Sequence, residues 1–106
     1  MPKFLVLARY NADGVKGILD KGGSSRRDAL AAACATSGGS LESFYFAFGD
    51  TDAFVTVDLP DNVSAARLCM TAAASGMVEV TCTALLTPEE IDAATETTAT
   101  YRPPGS

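Results

Sequence analysis

The sequence predicts an α+β fold: one four-stranded antiparallel sheet with two helices on one face, in the order strand, helix, strand, strand, helix, strand. Three observations predict it. Four runs, KFLVLARY, LESFYFAF, AFVTVDL and MVEVTCTALL, have the composition or alternation of strands, whereas the stretches between the first and second and between the third and fourth have helical spacing. The middle two runs are separated only by Gly49-Asp50-Thr51-Asp52, which suits a hairpin and not a crossover. At 106 residues, 47% hydrophobic and 20% charged, the chain has the balance of one folded domain, spanning 1–106, with room for a single core.

The first strand, 3–10, ends at Asn11-Ala12-Asp13-Gly14, a run with strong turn chemistry. Val15, Ile18 and Leu19 follow at helical spacing until Gly22-Gly23 interrupts them, so the first helix is expected to be kinked or in two pieces. Its longer piece is expected from Ser24 or Ser25, with Ser25 and Asp28 spaced as a capping box, through DALAAACAT to Gly38-Gly39. The second and third strands are placed at 41–48 and 53–59, the latter closed by Pro60, which has no N–H to donate to a ladder. Asp61 or Asn62 caps a second helix in which Ala65, Leu68, Cys69, Ala72 and Ala73 form an apolar stripe that Gly76 ends. After the fourth strand, 77–86, Thr87-Pro88-Glu89-Glu90 combines a threonine cap, proline at the first position and a glutamate three after the cap. A short C-terminal helix is expected there, followed by an extended tail from about 99 to 106. The order is that of the ferredoxin-like split β-α-β sandwich.

A hairpin loop of two or four residues over 49–52 would pair Phe48 with Ala53, Phe46 with Val55 and Phe44 with Val57, putting all six on one face. With Phe4, Val6, Ala8, Val78 and Val80 they form the face expected under the helices. The opposite face then carries Leu5, Leu7, Tyr45, Phe54 and Met77 among Arg9, Thr56, Asp58, Glu79, Thr81 and Thr83. So much apolar surface is expected to be covered, most simply by a second copy stacked sheet to sheet as a dimeric α+β barrel.

Composition narrows the chemistry. A net charge of −5, with Arg26-Arg27 the one basic pair, disfavours nucleic acid as a partner. No apolar run approaches the roughly 20 residues of a membrane helix, and the N-terminal run is short for a signal peptide, so the expectation is a cytoplasmic protein without a membrane partner. The absence of histidine removes Ser-His and Cys-His dyads and imidazole-ligated metals. Cys34, Cys69 and Cys82 lack paired metal-binding spacing and are read as small core residues. Neither a metal nor a cofactor is expected.

The opening MPKFLVLARYNADGVKGILDKGGSSRR, the middle LESFYFAFGDTDAFVTVDLPDN, the stretch TALLTPEEIDAA and the tail YRPPG together resemble the GYD-domain family of small bacterial proteins. Of that family's glycine-tyrosine-aspartate pattern at the hairpin, Gly49 and Asp52 remain and the tyrosine position holds Thr51. The resemblance implies a ferredoxin-like fold and association through the sheet, and brings no established activity.

Two candidate sites follow from the residues. On the open face, Arg9 would hold an anionic group and Tyr45 or Glu79 orient it, with Thr56 alongside and Asp52 at the rim; the other reading makes these satisfied interface polars. At the start of the long helix, Ser25, Arg26 and Arg27 offer hydroxyls, guanidiniums and free N–H groups to an anion, against a plain solvated cap. Three function classes stay open: a homo-oligomer that binds a small molecule or serves as an accessory, a cofactor-independent monooxygenase or isomerase, and a purely structural oligomer.

Overall fold

A computed structural model describes all 106 residues. The chain forms β1 (Lys3–Tyr10), α1 (Ala12–Lys21), α2 (Gly23–Thr36), β2 (Ser40–Phe46), β3 (Ala53–Asp58), α3 (Asn62–Ala74), β4 (Val78–Leu85) and α4 (Pro88–Thr95). The four strands make one open antiparallel sheet in the order β2-β3-β1-β4. β1 and β2 therefore run parallel with β3 between them, and β3 and β4 run parallel with β1 between them.

Each helix boundary has a local cause. Asn11 caps α1, its side chain accepting the Gly14 N–H at 2.9 Å. Gly22, at φ +86°, then breaks the helix in a conformation that costs a side-chain-bearing residue strain, so α1 and α2 are separate helices. α2 begins at Gly23, one residue before the earliest expected start, and Gly22 caps it without a side-chain bond. The expected Ser25–Asp28 capping box does not form; Asp28 instead accepts from Arg27 Nε at 3.2 Å. Asp61 caps α3, accepting the Ser64 N–H at 2.8 Å, and this contact draws its pKa down. Thr87 and Glu90 close the reciprocal capping box of α4.

The hairpin is longer than expected. Phe46 pairs with Ala53 and Phe44 with Val55, so residues 47–52 form the loop, β2 ends two residues early and Phe48 stands fully exposed. The physical reason is Asp52. Its N–H donates to the Ala8 carbonyl at 2.9 Å, its carbonyl accepts from Ala47 at 2.8 Å, and its carboxylate accepts the Tyr10 N–H at 2.9 Å. The loop is thereby fastened to the end of β1. The slip is by two residues, which preserves the face of every side chain from Ser43 to Phe46. A bulge at Glu42 then turns Leu41 toward the helices, opposite Val57.

The core is the helix-side face of β1 and β3, namely Phe4, Val6, Ala8, Ala53, Val55 and Val57, closed by Leu59, by Cys34 of α2 and by Ala65 and Leu68 of α3. Only 12 of the 106 residues are buried, so one thin layer holds the body together. No helix covers the other face: Tyr45 is 71% and Phe54 43% exposed. There the hydroxyls of Ser43 and Thr56 bond across the strands at 2.5 Å, while Lys3 bridges Glu42 and Asp58. Cys82 departs from its expected place in the core: it is exposed, with the Cys69 thiol of α3 beside it and every residue from Thr81 onward exposed.

Candidate functional site: a cleft between the long helices

α2 and α3 lie on the same face of the sheet but present small residues to the space between them. Ala29 and Ala33 of α2 and Ala72 of α3 leave an apolar cleft of about 300 Å³. Val6, Ala8 and Val55 form its floor, and Leu30, Leu68 and Cys69 complete its walls. Thirteen of its 16 lining residues are hydrophobic, so an occupant would meet a mostly apolar surface.

The polar groups gather at one end. Tyr10, Arg26 and Ser75 line both this cleft and an adjoining hollow of about 240 Å³ beneath α1, so the two share a mouth. Gly14 lets α1 come close there: a Cβ on it would sit 2.4 Å from the Met77 carbonyl oxygen. Burial pushes the Tyr10 phenol above its ordinary pKa, the Arg26 guanidinium pulls the other way, and Asp52 adds to the rise. Tyr10 is therefore a neutral donor at physiological pH, beside a permanent cation.

The lining holds no carboxylate. Its titratable groups are Tyr10, Arg26 and Cys69, with Lys21 in the adjoining hollow. Burial first, and then the neighbouring Cys82, push the Cys69 thiol up to about 12, and burial likewise raises Cys34. Burial thus holds the phenol and both thiols in their protonated forms. The mouth can donate hydrogen bonds and attract an anion, but it presents no base to accept a proton.

The residues singled out in the sequence divide between this cleft and the sheet's other face. Arg26 lines both spaces and Ser25 only the hollow under α1, whereas Arg27 turns to Asp28 and lines neither. Arg9 and Glu79 are register partners on β1 and β4 and line a separate shallow hollow with Leu7 and Thr51. Tyr45 and Thr56 lie on the open face, two strands away from Glu79 or more, and Thr56 is bonded to Ser43. Asp52 does not line the cleft but is bonded to the backbone of two residues that do, Ala8 and Tyr10. Sequence reasoning missed Tyr10 as a mouth group and took Ala72 for core; the signal was the run of alanines on the inner sides of two helices that share one face.

The model of the GYD domain family matches residues 4–95, from the second residue of β1 to the last of α4. No protein of curated function and no solved structure matches the chain.

Proposed function

The chain belongs to the GYD-domain family, and from that footing we propose that it is a homo-oligomeric binding protein for a small apolar molecule with an anionic or carbonyl end. The observation that carries this reading is the composition of the cleft: an apolar space of about 300 Å³ with a neutral phenol and a guanidinium at its mouth and no carboxylate in its lining. An acid–base enzyme needs a group poised to take a proton at working pH; the lack of one here favours binding over a monooxygenase or isomerase. A purely structural oligomer would have no use for an unfilled apolar space.

Oligomerisation is proposed through the open sheet face. The interleaved strand order supports a ferredoxin-like assignment, and the exposed Tyr45 and Phe54 support stacking of two such sheets into an α+β barrel. Such stacking would enclose Arg9, Tyr45, Thr56 and Glu79, so the hollow beside Arg9 and Glu79 supports a second, sheet-side binding site as the alternative. No helix is long and apolar enough to cross a membrane, and three unpaired thiols support a reducing, cytoplasmic compartment.

The test is titration of isotope-labelled protein with benzoate, naphthoate and medium-chain fatty acids, followed by amide and methyl chemical shifts. Saturable shifts at Leu30, Leu68 and Val55, lost in Arg26→Ala for the carboxylates, are expected. Shifts confined to Arg9 and Glu79 would transfer the site to the sheet face. No saturable shift at millimolar ligand would end the binding reading.

A further inference from the structure

From Thr81 to Ser106 every residue is exposed. β4 stays paired with β1 as far as Leu85, but no hydrogen bond joins residues 86–106 to the rest of the chain, since those of α4 and the tail are internal. Yet α4 is fully specified, with proline in its first turn and a closed capping box. Eight residues are well short of the roughly 12–15 an isolated helix needs in water, so the helix requires a surface to pack on. The arm carries apolar groups for that purpose: Leu86 is 64%, Ile91 47% and Tyr101 74% exposed.

The family match runs to Thr95, the last residue of α4, so this helix belongs to the domain and is not an appended tail. The shape of the single chain agrees. Its radius of gyration is 16.8 Å, against about 13 Å for a compact chain of this length. Its accessible surface is 7344 Å², against about 5,600 Å² for a folded monomer of its mass. The excess, about 1,700 Å², falls within the roughly 1,000–2,500 Å² that each partner of an obligate homodimer hides.

We infer that residues 86–106 form an exchanged arm that packs on a second copy of this chain, each copy clasping the other. The inference rests on the homo-oligomer proposed above and specifies what holds it together. The second copy supplies a matching seat beside the stacked sheets: Phe48, standing free at the hairpin tip, and the edge strand β2 that leads to it. Exchange of the arms in both directions would cover Leu86, Ile91 and Phe48 together, in a closed two-fold arrangement.

The full chain, a version ending at Thr87, and full-length Ile91→Asp are compared by sedimentation from 0.1 to 100 μM (on the order of the Kd range such interfaces span), with circular dichroism to check folding. A photo-crosslinking amino acid at Ile91, in an equal mixture of heavy- and light-isotope protein, reports what the arm touches. The expected result is a full chain that stays oligomeric, variants that dissociate at concentrations at least about tenfold higher with unchanged β content, and heavy-to-light crosslinks. Variants that associate as tightly as the full chain, or crosslinks confined to one chain, would overturn the arm while leaving sheet pairing intact. A full chain that is monomeric throughout would overturn both. Ile91→Asp keeps the test decisive if the truncated chain does not fold, since Ile91 takes no part in the buried core of its own chain.

Discussion

The carboxylate of Asp52 accepts the backbone N–H of Tyr10 at 2.9 Å, joining the hairpin loop to the residue at the mouth of the cleft. A group 42 residues away in sequence thus sets where the Tyr10 phenol stands. Asp52→Ala leaves that N–H without its partner and frees the loop from β1. A loss of about 1–2 kcal/mol is expected, measured by urea denaturation, together with broadened resonances for Tyr10 and its neighbours. Unchanged stability and unchanged Tyr10 shifts would show that the loop is held elsewhere.

Tyr10 and Arg26 oppose each other electrostatically, and the sign can be tested. Burial raises the Tyr10 pKa above 10.0 and Arg26 lowers it, so Arg26→Ala should raise it further. Titration of the Tyr10 ring carbon by NMR checks this. Because the folded pKa exceeds the unfolded one, the linked stability is complete below about pH 10 and falls as pH rises through the folded value. A Tyr10 that titrates below 10.0 would contradict the burial of its ring.

Filling the cleft should separate binding from folding. Ala72→Phe places a ring in the unfilled space between α2 and α3 without displacing Val6, Val55 or Leu68. Affinity for the carboxylate ligands should fall more than about tenfold while stability changes by no more than about 1 kcal/mol. Thermal denaturation and ligand titration on the same sample measure both. Binding that survives the substitution would place the ligand elsewhere.

Thiol reactivity offers an independent check on the packing. Cys34 is buried, and Cys69 is raised to about 12, so neither supplies thiolate at neutral pH. Both should resist iodoacetamide in the native state and react on unfolding in guanidinium, as mass spectrometry of the digested protein would record. Rapid native alkylation of Cys34 would mean that α2 opens from the sheet.

How much of this was legible in the sequence depended on the range of the interactions involved. Thr87-Pro88-Glu89-Glu90 and Asp61 state their helix starts within four residues, and both caps form as written. Gly22 likewise announces the break between α1 and α2. The hairpin did not yield to the same reasoning, because Asp52 answers to Ala8 and Tyr10 on another strand and so lengthens a loop that local turn chemistry would close sooner. The bulge at Glu42 is also nonlocal, since Lys3 on β1 bonds the bulged residue and Asp58 together. The cleft was hidden for a different reason: an alanine stripe on a helix reads as core, and whether it encloses a void depends on the spacing of two helices that the sequence does not encode locally.

Since Ala29 and Ala33 of α2 stand in the cleft wall with Ala72 of α3, its width owes much to what those side chains lack. Sheet residues that secure the fold, such as Phe4, Ala53 and Val57, are a different set from Ala29, Ala33 and Ala72, which bound the empty space. Lengthening one wall residue would change which molecules fit while leaving the strand register and the caps as they are. On the binding reading proposed above, a single wall substitution would alter ligand preference while leaving the backbone as it is.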